Sequence, residues 1–280
     1  MFDFIRKGSS AYYLYSYLAG SIHFYRFRHV RCVLIFLGYP RSGSSILGSI
    51  LDAHKNILIA HEFNMLQYIQ QGYTSRQLFY LLAKNSRQFT AKGRISSNYR
   101  GTIRGQFNGK ARSIFVIGDK KAGATTNIFG NDRDIESRLN NFFPALKFIH
   151  IVRNPFDMIA SQAYGGNERR LLASAADVWE AINFYTEKFR TIDRLIRKET
   201  LDIFSLNYEL LLDDPGTIIK QLLNWINVPD YKGYISSCKN HLFNLPHRSR
   251  DKVPWTNEQI QEVRLLISNY DFLKGYSFEK

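Results

Sequence analysis

The sequence predicts an α/β domain of three layers, in which a central, mainly parallel sheet is flanked by helices. Three observations carry that expectation. Short apolar runs of strand length at 33–37, 57–60, 114–117, 147–152 and 202–206 alternate with stretches of helical periodicity, and strands joined through helices lie parallel. Polar residues stand directly after several of those runs: His61 and Glu62, Asp119 and Lys120, Arg153. Parallel sheets bind their ligands at that edge, beyond the C-terminal strand ends. The first run, finally, opens into the glycine-bearing turn Gly38-Tyr39-Pro40-Arg41-Ser42-Gly43-Ser44-Ser45.

The chain has 280 residues, of which 45% are hydrophobic and 15% aromatic. That is ample for a buried core and excludes a disordered polar chain. The division expected is an aromatic and basic segment at 1–30 that packs on a single domain at 31–280. Residues 8–25 carry no formal charge and are flanked by Arg6, Lys7 and Arg26. Their Tyr and Ser content, Gly20 and His23 fit neither a membrane span nor a cleaved signal. The reading is an amphipathic segment lying on the domain, with contact at a membrane surface as the alternative. Cys32 and Cys238 match no metal or disulfide pattern and read as packing residues. Together with the lack of a signal pattern in the sequence given, they make the cytoplasm the expected location.

Taken in order, strand 33–37 leads through the glycine turn into a helix over 46–51. After strand 57–60, helical patterns continue to about Asn85. Residues 85–112 hold Arg87, Lys92, Arg94, Arg100, Arg104, Lys110 and Arg112 and no acid. This stretch is read as a basic insertion flanking the acceptor entrance, and Asn108-Gly109 as a type I′ hairpin feeding strand 114–117. Pro155 suits the first turn of a helix after strand 147–152. A long helix is expected from about Glu168 to Lys198, because Val178, Ile182, Tyr185, Phe189, Ile192 and Ile196 form one apolar face. A helix over 217–226 follows strand 202–206. Thr256-Asn257-Glu258-Gln259 has the pattern that caps a last helix running to about Asn269.

The glycine turn has the spacing of a phosphate-binding loop, but Ser44 stands where a nucleotide-triphosphate loop has lysine. Its glycines allow successive N–H groups to turn inward around an anion, and the following helix adds its N-terminal partial charge. The one cation in the loop is Arg41. A second group, Arg153-Asn154-Pro155-Phe156-Asp157-Met158-Ile159-Ala160-Ser161, sets an arginine fork at a strand end and a hydroxyl two turns into the next helix. That pair suits a separate phosphate. A formal net charge of +14 favours anionic ligands in general without choosing among them.

Together these two groups resemble the sulfotransferases that use 3′-phosphoadenosine 5′-phosphosulfate (PAPS). The first family motif reads approximately P-[KR]-[ST]-G-[ST]-[ST] and corresponds to Pro40 through Ser45. The second reads R-[ND]-P-x-D-x-x-x-S and corresponds to Arg153 through Ser161. A weaker third match is Tyr208-Glu209-Leu210-Leu211-Leu212-Asp213-Asp214-Pro215. The match is closest to tyrosylprotein, carbohydrate-type and bacterial members.

The resemblance implies a P-loop-type fold with PAPS as co-substrate and no metal. It implies that Arg41, Ser42, Gly43, Ser44 and Ser45 hold the 5′-phosphosulfate, that Arg153 and Ser161 hold the 3′-phosphate, and that Tyr208 lies near the adenine. Arg41 would also neutralise charge on the leaving phosphate. Arg248, in the basic stretch His247 to Lys252, is assigned to closure over the nucleotide. The histidine base of cytosolic members is missing, since Ala122 stands at its position. The resemblance instead gives Glu62 as general base, with His61 as its rival and Lys120 as a helper at the sulfuryl group. The acceptor expected is a hydroxyl- or amine-bearing small molecule, carbohydrate or lipid rather than a protein, and no nucleic acid partner is expected. Two other classes stand beside this one: a P-loop kinase acting on a small molecule, and a non-catalytic protein that binds polyanions on the same fold.

Overall fold

In the computed structural model, residues 8–96, 99–143, 145–165, 173–243 and 245–279 are described. The chain begins with α1 (Ser10–His23). Strand β1 (Cys32–Gly38) and α2 (Ser44–Asp52) enclose the glycine turn, and β2 (Ile57–His61), α3 (Met65–Gln70) and α4 (Ser75–Ala91) follow. Two short strands, β3 (Ile95–Ser96) and β4 (Tyr99–Arg100), precede β5 (Val116–Lys120), α5 (Ala122–Asn131) and α6 (Ile135–Phe142). Next come β6 (Leu146–Val152), α7 (Pro155–Ala163), α8 (Ala175–Arg197) and β7 (Ile203–Asn207). The chain closes with α9 (Tyr208–Asp213), α10 (Pro215–Trp225), α11 (Tyr234–Lys239) and α12 (Asn257–Asn269).

Five strands form one sheet in the order β2-β5-β1-β6-β7, and every pairing in it is parallel. The expected fold class is therefore the observed one. All seven residues of β1 are buried, as a central strand covered on both faces requires. Val33, Ile35 and Leu37 pack to one side with Leu78 and Leu82 of α4 and with Ile182, Tyr185 and Phe189 of α8. Leu34 and Phe36 pack to the other with Leu47, Ile50 and Leu51 of α2 and Leu222 of α10. These two clusters are the cores between three layers. From β1 the chain crosses first towards β2 and β5 and later towards β6 and β7, so a crevice opens beyond the end of β1.

The apolar face expected of α8 is its buried face. Its start is later than expected: Ser174 and Asp177 form a reciprocal cap and helix begins at Ala175, while 168–172 lie outside the described residues. Pro155 opens α7 and Thr256 caps α12 as read from the sequence. At the N-terminus α1 packs against α4. Gly20 lies where a β-carbon would come 2.8 Å from the Arg76 carbonyl of α4, and Gln77 donates to Ser16 Oγ at 3.0 Å and to the Tyr13 carbonyl at 3.2 Å. The opposite face of α1 exposes Leu14, Leu18 and Ile22. Among the described residues no helix is long and apolar enough to cross a membrane.

The basic stretch at 85–112 needs correction. Residues 85–91 are the last turns of α4, and Arg94 is no surface cation: it is 2% exposed and pairs with buried Asp52 at 2.6 Å. Asn108 and Gly109 do have the positive φ of the expected turn, 48° and 80°. No strands flank them, however, because the Asn108 amide uses the Ile103 N–H and carbonyl instead. The two-stranded antiparallel pairing in this region belongs to β3 and β4.

Candidate active site

The turn after β1 is held from three sides. Thr126 Oγ1 of α5 accepts the Gly38 N–H at 2.9 Å and donates to the Gly38 carbonyl at 2.8 Å. The Tyr185 hydroxyl of α8 donates to the Pro40 carbonyl at 2.9 Å. Ser42 Oγ turns inward to the Tyr39 carbonyl at 2.9 Å, so this hydroxyl shapes the loop from within. Arg41 takes the left-handed conformation, φ 64°, which a non-glycine residue adopts only where its surroundings enforce it. Gly43, φ 94°, has no alternative: a β-carbon there would lie 2.3 Å from the Tyr208 ring. Ser44 and Ser45 form the first turn of α2 and line the cleft, and the leading N–H groups of a helix can hold an anion.

The second group meets the first directly. Arg41 Nε donates to Ser161 Oγ at 2.7 Å, joining residues 120 apart in sequence. Arg153 Nη1 reaches the Arg41 carbonyl at 3.5 Å, Nη2 donates to the His247 carbonyl, and the guanidinium lies 5.4 Å from the centre of the Tyr208 ring. Among the described residues, Arg153 Nε is buried without a hydrogen-bond partner. A buried N–H of a cation left unpaired is costly unless a ligand anion completes it. The residues thus fit a phosphate between Arg153, Ser161 and Tyr208.

Asp157 and the basic stretch that follows His247 complete the surroundings of this fork. Arg153 Nη2 and Asp157 Oδ2 stand 4.0 Å apart, a long ion pair. Asp157 is held more closely by Arg250, whose Nε and Nη2 bind its two oxygens at 3.1 and 2.8 Å and whose N–H adds a bond of 3.0 Å. Arg250 is therefore a buried strut of this wall. Arg248 lies on the surface, held by Asp251 and the Glu279 carbonyl. The third motif contributes through Glu209, which accepts the Asn154 N–H at 3.0 Å and the Tyr276 hydroxyl at 2.7 Å.

Glu62 follows β2 with φ 54°. Its N–H continues the sheet ladder to the Lys120 carbonyl at 3.1 Å. The buried Asp119 carboxylate grips the next turn, accepting the N–H groups of Phe63 and Met65 at 3.1 and 2.7 Å. Asp119, read only as a strand-end residue, is thus the clamp that sets the Glu62 backbone. Lys120 Nζ donates to Glu62 Oε1 and, at 3.0 Å, to Ser45 Oγ, so it ties the carboxylate to the phosphate loop. Gly48 gives the Lys120 stem its path, since a β-carbon there would lie 3.0 Å from it. Lys121 pairs with the second oxygen of Glu62. Burial pushes the Glu62 carboxyl up, but the two lysines outweigh it and hold the group below its ordinary value. Burial also pushes Lys120 down, against the pull of Glu62. His61 stacks flat on Phe89 with ring centres 3.9 Å apart. Burial and the Lys120 charge push its ring down to about 3, so it is neutral near pH 7 and too weak to be an effective base there.

Loop and carboxylate share a cleft of about 670 Å³. Arg41, Ser44, Ser45, Glu62 and Lys121 line one side, and Asn127, Phe184 and Lys188 contribute from α5 and α8. Sequence reading missed Thr126, Tyr185 and Lys188. They sit in helices as ordinary members of an amphipathic pattern, and only the packing of α5 and α8 on the end of β1 brings them to the crevice.

Comparison with known proteins agrees with this geometry. Residues 133–232 match the model of the Sulfotransferase family, a span that contains the Arg153…Ser161 group and the Tyr208…Pro215 segment. No curated protein sequence matches the chain. The sulfotransferase domain of the Synechococcus PCC 7002 olefin synthase superposes with a TM-score of 0.53 at 18% identity, covering 87% of this chain and 96% of that one. Sulfotransferase STF9 from Mycobacterium avium superposes at 0.51 with 13% identity, covering 92% and 81%. The fold is that of the sulfotransferases. Over residues 133–232 the chain is similar to that family in sequence as well as in fold.

Proposed function

We propose that the protein moves a sulfuryl group, in line, from PAPS to a hydroxyl or amine of an acceptor and leaves adenosine 3′,5′-bisphosphate. The observation that carries the proposal is the buried, unpartnered Nε of Arg153, set beside Ser161 and Tyr208 and joined through Arg41 to the phosphate loop. A second phosphate position next to a phosphate loop without the triphosphate lysine supports a 3′,5′-bisphosphorylated nucleotide over ATP.

PAPS supplies the activated sulfuryl group. The N–H groups leading α2, with Ser44 and Ser45, hold the 5′ end. Arg41 stabilises the charge that grows there as the bond to sulfur breaks. Arg153 and Ser161 hold the 3′-phosphate, and Tyr208 packs beside it. Glu62 takes the proton from the acceptor as the acceptor atom joins sulfur. Lys120 keeps Glu62 ionised and its position fixed relative to Ser45. The acceptor is a small molecule, carbohydrate or lipid, and the apolar outer face of α1 between flanking cations supplies a contact for a membrane surface.

The test is nucleotide discrimination. Adenosine 3′,5′-bisphosphate should bind more tightly than 5′-AMP, and Arg153→Ala should narrow the difference by about 1–3 kcal/mol. Equal affinity of the unmodified protein for the two nucleotides would remove the 3′-phosphate site and the proposal with it.

A further inference from the structure

Lys188 of α8 lines the same cleft as Glu62 and the phosphate loop. It is 4% exposed. Its ammonium donates to Asn127 Oδ1 at 2.7 Å and stands 3.7 Å over the Phe184 ring. Among the described residues no carboxylate pairs with it: Glu187, its neighbour in sequence, bonds Arg190 at 2.9 Å on the outer face of α8. The other cations of the cleft have work already, since Lys121 pairs with Glu62 and Arg41 with Ser161.

A buried ammonium with one neutral acceptor is an unfavourable arrangement for folding alone. A methionine would fill the same volume without the desolvation penalty. Burial, opposed by Glu187, pushes Lys188 down to about 8, so it still carries its charge near neutral pH. Asn127 and Phe184, the two groups that contact the ammonium, line the cleft as well, and an incoming anion there would complete the charge.

We propose that Lys188 is an acceptor-side anion site. The acceptor of the transfer proposed above, on which this inference rests, carries a negative group of its own. Lys188 pairs with that group while Asn127 and Gln162 line the approach, and the pairing orients the acceptor hydroxyl towards Glu62. The substrate class is thus anionic hydroxyl compounds, phenolic acids and sugar acids among them. Lys188 acts on acceptor choice and takes no part in bond making.

The experiment needs no turnover. Two matched pairs, 4-hydroxybenzoate with its methyl ester and glucuronate with its methyl ester, are titrated into the whole protein saturated with adenosine 3′,5′-bisphosphate. At least one acid should bind about tenfold or more tightly than its ester, and Lys188→Met should bring the two within about twofold. Should the methionine variant not fold, Lys188→Gln serves for the same comparison. No preference for the acid in either pair, or a preference that survives loss of the Lys188 charge, overturns the inference. Nucleotide discrimination separates this outcome from the parent reading. Adenosine 3′,5′-bisphosphate should be preferred over 5′-AMP equally with and without Lys188. If that preference is absent while acid and ester still differ in the nucleotide-free protein, the donor assignment fails and the anion site stands.

Discussion

Glu62 is the base in the transfer proposed above, and its surroundings define a measurable signature. Two lysines hold its carboxyl below the ordinary value near 4.5, so it is ionised throughout the neutral range. A general base works only when deprotonated, so kcat/KM falls as pH drops through its pKa. The acid limb of the profile is therefore expected below pH 4.5, and Glu62→Gln should abolish transfer of labelled sulfate while adenosine 3′,5′-bisphosphate still binds. A limb near pH 6.5 in a profile that survives Glu62→Gln would move the role to a histidine. The spacing of Glu62 after a short strand was visible in the sequence. The pairing that sets its charge was not, because Lys120 and Ser45 reach it from β5 and α2, and nothing in their local sequence says that they converge.

At the level of elements, the most consequential pairing away from the site is Asp52 with Arg94. It fastens the end of α2 to the paired strands β3 and β4: Asp52 also accepts the Ile59 N–H at 2.7 Å, and Arg94 donates to the Gly101 carbonyl at 2.9 Å. Removing one member leaves the other buried and charged, so Arg94→Met should cost about 3–5 kcal/mol in denaturant unfolding near pH 7.5. Burial raises the Asp52 carboxyl to about 6, against the pull of Arg94. Its folded pKa exceeds the unfolded value of 3.8, so the folded state keeps its proton to higher pH. The group's contribution to stability therefore weakens as pH rises from about 4 to 6. Without Arg94 the carboxyl can still protonate, so the deficit of the variant should shrink at pH 5. A deficit that is the same at pH 5 and 7.5 would show that the charge of Asp52 is not its source. Sequence reading took 85–112 for a basic insertion flanking the acceptor entrance because composition counts cations without revealing their partners. The caps of α7 and α12 were legible for the opposite reason: Pro155 and the Thr256–Gln259 box act on their own backbone within one turn.

For the molecule as a whole, alternation of apolar runs and helical periods was enough to give the parallel sheet and its ligand edge. Strand order was not accessible, since it depends on which crossovers pack best across distant segments. The outer face of α1 is another feature of this scale. Leu14, Leu18 and Ile22 are 59%, 53% and 69% exposed, and Arg26 and Arg28 follow directly. An apolar stripe beside cations has the makeup of an interfacial helix. The protein should therefore float with vesicles containing anionic phosphatidylserine, and Leu18→Ser combined with Ile22→Ser should release it with the nucleotide preference unchanged. Equal flotation of the double variant would assign the contact to the general positive charge instead.

The position of β1 has a consequence for how the protein is made. Both strands that flank it, β5 and β6, lie later in the chain, and β6 is complete only at Val152, over a hundred residues beyond Gly38. A ribosome adding roughly 5–20 residues per second exposes an entirely apolar strand without neighbours for several seconds or longer. Fragments that end before residue 146 should therefore collect in insoluble material, and efficient synthesis should depend on factors that shield the nascent segment until its later partners emerge.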